Sequence, residues 1–342
     1  MYVQLRTRAF WNRVAVGEEP FLFLNCDIEA MHHDEEERFI QKYNQFAKEG
    51  LKSERVVLEF KEKDIVGEVS RYKHFITYMK SLGFKIAIDG VGKYASNLEH
   101  IVQLKPDILK VDLSFLENDG FLSLYRDVLY SITMLSRKIG ATLLFQGIND
   151  FSQLNYAWRS GGRYYQGYYF GIPKEHLDET LPTIPLKKEF EHFINFEKKK
   201  INAVYELTNK MEQRLKKVLK NKRAANDFDN FALKVAKMMD EFAFRIYICD
   251  HNGYQLSANV QKSGDGQWNI QEEGRHKNWS WRPYFIENIV RMNFEQRGIL
   301  SDLYTDIEKN ELIRTYSYPI DEATYIFIDI PYQYLFEQEG LL

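Results

Sequence analysis

The first half of the chain alternates short apolar runs with helical patterns, and a polar residue follows each apolar run. Short apolar runs separated by helices are typical of buried parallel strands, whose carboxyl ends all face one side of a β/α barrel. Six polar residues at these positions therefore predict the rim of a functional site. The runs and the residues that follow them are 21–24 and Asn25, 56–58 and Glu59, 86–88 and Asp89, 108–109 and Lys110, 143–145 and Gln146, and 164–165 and Gln166.

The number of strands is smaller than a closed barrel requires. We count six strands in the first half of the chain, whereas the usual β/α barrel closes with about eight. We expect about two βα units to be absent and this deficit to lie before Met1. The predicted fold of this region is therefore an incomplete TIM-like (β/α) barrel.

Residues 187–222 contain neither glycine nor proline and are rich in Glu, Lys, Asn and Gln, which predicts one long helix. Apolar side chains recur along this helix in alternating steps of three and four residues, the spacing of a packing seam. Two interpretations stay open: a coiled coil between two copies of the chain, or packing of the helix against its own domain. The seam residues are Phe190, Ile194, Ile201, Val204, Thr208, Met211, Leu215 and Val218.

After residue 226 the pattern changes to strands that alternate with turns, such as the turn at residues 250–253. This pattern is typical of an antiparallel α+β domain. We therefore expect three segments: a barrel domain over residues 1–184, a linking helix over 185–225, and an α+β domain over 226–342.

Charge and hydropathy limit the function classes. The formal net charge is −3, and the basic residues are interleaved with acidic ones, which gives no basis for a nucleic-acid partner. No apolar run reaches the ~20 residues of a membrane span, and the first residues have no signal-peptide core. We expect no membrane partner and a cytoplasmic location. Cys26 and Cys249 lie far apart in sequence, which does not suggest a disulfide framework.

Two carboxylates of the predicted rim are spaced for a metal site. Glu59 and Asp89 are 30 residues apart, about the length of one βαβ unit, so they should stand at neighbouring strand ends. Together with the Asn25 amide they offer only oxygen ligands, which suit magnesium, manganese or calcium rather than zinc. The alternative is that Glu59 pairs with a nearby lysine such as Lys61 or Lys85.

Several blocks of the sequence resemble EAL domains, which are barrel phosphodiesterases of cyclic diguanylate. The blocks are residues 83–92 (GFKIAIDGVG), 105–115 (KPDILKVDLSF) and 165–170 (YQGYYF), and they occur in the order of the family. The region that follows resembles a PAS-like or Cache-like domain attached to some EAL domains. The resemblance therefore covers the whole chain and implies an EAL barrel joined by the long helix to this second domain.

The resemblance implies roles for individual residues. In EAL enzymes divalent cations activate a water molecule that opens the cyclic dinucleotide. Asn25, Glu59 and Asp89 match metal ligands, and Lys110 matches the lysine near the attacking water. Gln166 matches the glutamine of the closing block. Asp112, a further acid of the rim, and Arg163, which could reach a phosphate, are candidate ligand-binding residues.

The departures from the family pattern are as informative as the matches. The Glu-Ala-Leu strand is absent, Gly90 stands where the family has a second aspartate, and Gln146 and Asn149 replace two family glutamates. An amide cannot accept a proton from water, and loss of a positioned base costs roughly 10²–10⁴ in rate. We therefore expect weak or partial occupancy by divalent cations and no useful hydrolysis of cyclic diguanylate.

Three functional hypotheses follow from the sequence. The first is a degenerate EAL module that binds cyclic diguanylate without hydrolysing it and passes a change of state through the long helix to the second domain. The second is an active phosphodiesterase in a longer product, and the third is a dimerisation module without a ligand. The seam helix and the resemblance both predict a homodimer.

Overall fold

The computed structural model describes residues 20–31, 36–65, 69–93, 96–114, 122–172, 186–220, 227–307 and 309–337. Two compact units divide the chain, Met1–Leu186 and Lys187–Leu342. The long helix therefore groups with the second unit. The expected segment boundaries at residues 184–185 and 225–226 lie outside the described residues.

The first unit contains a six-stranded parallel sheet in its described part, with the strands in sequential order. Parallel neighbours need a crossover connection, and helices supply it here. The predicted incomplete TIM-like barrel is confirmed. The strands are β1 (Leu22–Asn25), β2 (Val56–Lys61), β3 (Lys85–Val91), β4 (Ile108–Asp112), β5 (Thr142–Gln146) and β6 (Tyr164–Tyr165), and the helices are α1 (Glu36–Lys48), α2 (Ser70–Ser81), α3 (Leu98–Leu104), α4 (Leu122–Ile139) and α5 (Phe151–Arg159).

One face of this sheet carries a layer of apolar side chains. Strand residues alternate between the two faces, and parallel neighbours in register share a face. The layer fixes the strand register, because a shift by one residue would move its apolar side chains to the other face. Its members are the buried Val57, Ala87, Ile108 and Leu144, with the partly buried Phe21, Phe23 and Tyr164 packed against them.

The second unit is built on an antiparallel sheet, as the α+β prediction expected. Its two longest strands, Leu312–Pro319 and Thr324–Pro331, are antiparallel neighbours. The strands are β7 (Arg245–Asp250), β8 (Asn259–Lys262), β9 (Trp268–Gln271), β10 (Ile299–Leu300), β11 (Tyr304–Thr305), β12 (Leu312–Pro319) and β13 (Thr324–Pro331), and the helices are α6 (Leu186–Leu219), α7 (Phe228–Met238), α8 (Pro283–Glu295) and α9 (Tyr332–Glu337).

The predicted seam of α6 divides into two parts. Met211, Leu215 and Val218 are buried in the core that α6 shares with α7 and the sheet. By contrast, Ile194 and Ile201 are 41% and 54% exposed. The carboxyl-terminal half of the seam therefore packs against its own domain. None of the described helices is long and apolar enough to cross a lipid bilayer.

Candidate functional site

A layer of polar side chains lies next to the apolar layer, on the same face of the parallel sheet and towards its carboxyl edge. The register aligns Asn25 with Glu59, Asp89 with Lys110, and Asp112 with Gln146. Strand alternation places all six on this face. The structure therefore brings together most of the residues predicted to form the rim.

Three of these residues lie inside strands and not directly after them, which corrects the sequence prediction. Strands β2, β3 and β4 each continue two residues beyond Glu59, Asp89 and Lys110. A charged side chain is tolerated inside a strand when it has a partner. A sequence pattern does not show such partners, so a charged residue after an apolar run predicts the end of a strand.

Glu59 and Lys110 form a buried ion pair. Lys110 Nζ donates to Glu59 Oε1 at 2.6 Å, and the two side chains are 5% and 6% exposed. The pair reaches across β3, where Ala87 is the neighbour of Glu59 in the sheet. The small alanine leaves room for this contact. Glu59 does pair with a lysine, as the alternative interpretation proposed, but that lysine is neither Lys61 nor Lys85.

Asp89 and Gln146 form a second contact across one strand. Gln146 Nε2 donates to Asp89 Oδ1 at 2.8 Å, and both side chains are partly buried. The strand register shifts just after Asp89, where Gly90 has a φ of +83°. Residues other than glycine rarely adopt that backbone conformation. Gly90 therefore suits the backbone at this position, and it provides no side chain that could bind a metal ion.

Asn25 and Gln166 lie at the two ends of the polar layer. Asn25 closes β1 and is exposed, next to Glu59 in the sheet. Gln166 directly follows β6, and its side chain is also exposed. The backbone of Gln166 is fixed by bonds with Phe145 and Ile148. Both amides are therefore accessible to a ligand from solvent.

Asp112, at the end of β4, is held by two donors. Its Oδ1 accepts from the Ser114 backbone N–H at 2.9 Å, and its Oδ2 accepts from Lys93 Nζ at 2.9 Å. Burial alone would raise the pKa of Asp112, but the bonds from Ser114 and Lys93 outweigh it, and the pKa of this carboxyl lies below its usual value. Asp112 is therefore ionised at neutral pH.

Arg163 lies directly before β6, beside the apolar layer. Its backbone N–H donates to the Leu143 carbonyl at 3.0 Å. Its guanidinium lies 5.9 Å from the ring centre of Tyr164, which packs against the apolar layer. A contact of Arg163 with a ligand phosphate stays a prediction.

Glu62, for which the sequence predicts no role, binds two residues that precede α3. Its two carboxylate oxygens accept from Ser96 Oγ at 2.7 Å and from the Asn97 backbone N–H at 2.9 Å. Ser96 Oγ in turn accepts from the Gly92 N–H at 2.7 Å. Burial raises the pKa of Glu62 although these bonds act in the opposite direction. The short spacing from Glu59 to Glu62 was the available sequence signal.

The charges of the layer limit which cations it can hold. Glu59 and Asp112 each accept a hydrogen bond from a lysine, so these two pairs and Asp89 together carry one net negative charge. Lys61, exposed at the end of β2, adds positive charge. Among the residues that the structure describes, no group of three or more His, Cys, Asp and Glu side chains is arranged to hold a metal ion. Asn25, Glu59 and Asp89 remain as an all-oxygen donor set.

Comparisons with known proteins agree with this architecture. The model of the EAL domain matches residues 5–173, and the model of the EAL-domain associated signalling protein domain matches residues 176–342. The uncharacterized EAL-domain containing protein YkuI of Bacillus subtilis is 44% identical over 324 residues, which cover 94% of this chain and 79% of the relative. The probable cyclic di-GMP phosphodiesterase PdeA of Escherichia coli is 26% identical over 39% of this chain and 18% of the relative.

A solved structure is similar over nearly the whole chain. The crystal structure of Bacillus subtilis YkuI in complex with c-di-GMP and calcium is 43% identical, with a TM-score of 0.87, and the match covers 98% of this chain and 83% of that one. The likeness includes the parallel sheet and the antiparallel domain. This chain therefore belongs to the family of EAL-domain proteins that carry the EAL-associated signalling domain.

Proposed function

We propose that this protein binds cyclic diguanylate together with a single divalent cation and does not hydrolyse it at a useful rate. The observation that carries the proposal is the bond from Gln146 to Asp89 at 2.8 Å. A neutral amide occupies the place where the family has a carboxylate, and it already engages the aspartate beside it. The relative crystallised with c-di-GMP and calcium supports the choice of ligand.

The charges of the polar layer suit one bound divalent cation better than two. The Asn25, Glu59 and Asp89 oxygens would hold it, since hard divalent cations prefer oxygen ligands. When bound, the cation would neutralise phosphate charge and polarise the phosphodiester. Two divalent cations close together repel each other and need several carboxylates to offset them. Lys110 and Lys93 already neutralise two of the three carboxylates that are available here.

Gln146 is the reason for the expected lack of hydrolysis. Attack on the phosphodiester requires a group that removes a proton from water, and the Gln146 amide cannot do so. The Lys110 ammonium is engaged with Glu59 at 2.6 Å, and an ammonium is a proton donor rather than a base. Asn25 and Gln166 would then bind and orient the dinucleotide without ionising a nucleophile.

The test combines binding and product analysis on the full chain. We expect calorimetry to show binding of cyclic diguanylate in the presence of calcium, and chromatography with manganese to show no linear product above a blank. Glu59→Gln should abolish cation-dependent binding, whereas Lys80→Ala should retain it because Lys80 pairs with Asp107, which precedes β4 at the amino edge of the sheet. Linear product that disappears in Glu59→Ala would instead establish an active phosphodiesterase. Absence of binding would favour a module without a ligand.

We also propose that the protein is a homodimer in which α6 contributes to the contact. Ile194 and Ile201 are exposed side chains in the amino-terminal half of this helix, one heptad apart. Ile201→Glu should shift the molecular mass in solution from that of a dimer towards that of a monomer. Light scattering after gel filtration measures this shift. In this proposal α6, within the predicted linking segment 185–225, transmits the change of state on ligand binding.

A further inference from the structure

Lys93 is a charged side chain of the site that the proposed function does not yet explain. It lies in the loop that follows β3, and its Nζ contacts Asp112 Oδ2 at 2.9 Å. The ammonium side chain is 45% exposed, whereas the Asp112 carboxylate is only 16% exposed. The charge of Lys93 is thus placed between a shielded carboxylate of the polar layer and the solvent from which a ligand would arrive.

Hydrogen bonds hold the backbone at Gly92 and Lys93. Gly92 donates to Ser96 Oγ at 2.7 Å, and Glu62 accepts from the same hydroxyl at 2.7 Å. The Lys93 N–H also donates to the Gly90 carbonyl at 3.2 Å. A lysine on a tethered loop has less freedom to lose when it binds an anion, and preorganisation of this kind increases affinity.

We infer that Lys93 is a resident counter-cation of the site, which neutralises Asp112 and contacts a phosphate group of the bound dinucleotide. The inference rests on the proposed function. An ammonium group donates to more than one oxygen, and its bonds to phosphate are charge-assisted. Lys93 thus supplies part of the positive charge that the layer needs for a dianionic ligand, and it does so without a second metal ion.

A positive charge at this position has opposite effects on the two ligands of the site. It attracts the phosphate groups of the dinucleotide, and it repels a divalent cation that approaches the neighbouring carboxylates. Removal of Lys93 should therefore weaken binding of the dinucleotide and strengthen binding of the cation. A loss of folding would weaken both, so the signs of the two changes separate the two explanations.

The experiment is calorimetric titration of the full chain and its Lys93→Ala variant. With calcium at a saturating concentration we expect Lys93→Ala to bind cyclic diguanylate at least about tenfold more weakly, because a charge-assisted hydrogen bond to the phosphate is lost. With calcium alone we expect the same variant to bind about three- to tenfold more tightly. Lys93→Arg, which keeps the charge, should retain most of the affinity for the dinucleotide.

Lys80→Ala is the matched control. Lys80 pairs with Asp107 at 3.1 Å, and Asp107 precedes β4 at the opposite edge of the same sheet. This variant removes the same charge from the same unit and should change neither titration. If the wild-type chain binds the dinucleotide in saturating calcium and Lys93→Ala binds it equally well there, the role of Lys93 is refuted while the proposed function stands. If the wild-type chain does not bind the dinucleotide in saturating calcium, both are refuted.

Discussion

Each unit of the protein contains a buried ion pair inside its sheet, and the two pairs differ in what surrounds them. In the first unit Lys110 and Glu59 lie beside the exposed Asn25 and the partly buried Asp89. In the second unit Arg245 binds both Asp306 and Asp329, and all three side chains are at most 7% exposed.

Arg245 and its two aspartates form their hydrogen bonds with other buried groups of the protein. Arg245 Nε donates to Asp329 at 2.7 Å, Arg245 Nη2 donates to Asp306 at 2.7 Å, and Thr315 Oγ1 donates to Asp329 at 2.6 Å. This cluster joins β7, β12 and β13 to the segment that carries Asp306. We interpret the cluster as structural and the pair in the first unit as part of a ligand site. Burial of an ion pair does not show whether its role is structural or functional. The two roles are distinguished by whether a ligand can reach the residues beside the pair.

The largest effect that would test this comparison is the loss of Arg245. We expect Arg245→Leu to lower the free energy of unfolding of the second unit by about 3–5 kcal/mol, because two buried carboxylates lose their counter-charge. Urea denaturation followed by fluorescence reports on this unit through Trp268, Trp279 and Trp281. Arg291→Leu, which breaks an exposed pair with Glu295, should cost less than about 0.5 kcal/mol. Equal costs would contradict the structural role of the cluster.

A smaller loss of stability is expected when the pair in the first unit is broken. Lys110→Met leaves Glu59 unpaired, but Glu59 lies in a layer that a cation or water can reach from solvent. We expect a cost of about 1–3 kcal/mol, the usual penalty for a polar group that loses its hydrogen-bond partner, because solvent or a cation can replace the lysine. Calcium should recover part of this stability in thermal denaturation. A cost as large as that of Arg245→Leu, with no effect of calcium, would make the two pairs equivalent.

Gln146→Glu tests whether the polar layer of the first unit binds a divalent cation. The substitution places a second carboxylate within hydrogen-bond distance of Asp89, and the two repel each other unless a cation or a proton lies between them. We expect calcium or manganese to bind about tenfold more tightly, equivalent to about 1.4 kcal/mol. Gln103→Glu is a matched control, because Gln103 also donates to a carboxylate, Glu99 at 2.9 Å, on an exposed helix surface. Unchanged affinity in Gln146→Glu would contradict our assignment of the cation site.

The smallest effect concerns pH and the bond between Lys93 and Asp112. The pKa of Asp112 is lower in the folded protein than its usual value of 3.8, so its ionised form stabilises the fold. This contribution is present above about pH 4 and is lost as the pH falls towards the lower, folded pKa. We expect wild type and Asp112→Asn to differ by less than about 1 kcal/mol at pH 7, because solvent screens the pair.

The difference between wild type and Asp112→Asn should disappear near pH 2 in urea denaturation. A difference that persisted there would show that the charge of Asp112 is not what stabilises the fold. It would also weaken the case for Lys93 as its counter-cation, since the pairing of the two charges is the basis of that role.

Much of the fold was predictable because it depends on local patterns. Apolar runs of strand length, helical spacing between them and turn residues after position 226 predicted a parallel sheet followed by an antiparallel domain, and both are confirmed. The seam of α6 was predictable only in part. The three- and four-residue spacing of the seam does not show which part of the protein, or which partner, packs against it. Only the carboxyl-terminal half of the seam packs in its own unit.

The candidate site was predictable as a set of residues but not as a set of contacts. Asn25, Glu59, Asp89, Lys110, Asp112 and Gln146 share a face because strand periodicity and crossover length place them there. Arg163 was grouped with them from the chemistry of its side chain alone. In the structure its guanidinium lies near the Tyr164 ring, a neighbour that a residue type does not reveal.

The sequence by itself determined which groups can ionise at this site, and in particular that Gln146 and Gly90 supply no carboxylate. Only the tertiary structure decided how the remaining charges are paired. Lys110 reaches Glu59 across a third strand at 2.6 Å, and Lys93 reaches Asp112 from a tethered loop at 2.9 Å. The physical reason is that charge depends on residue type, whereas the energy between charges depends on distances that only packing fixes.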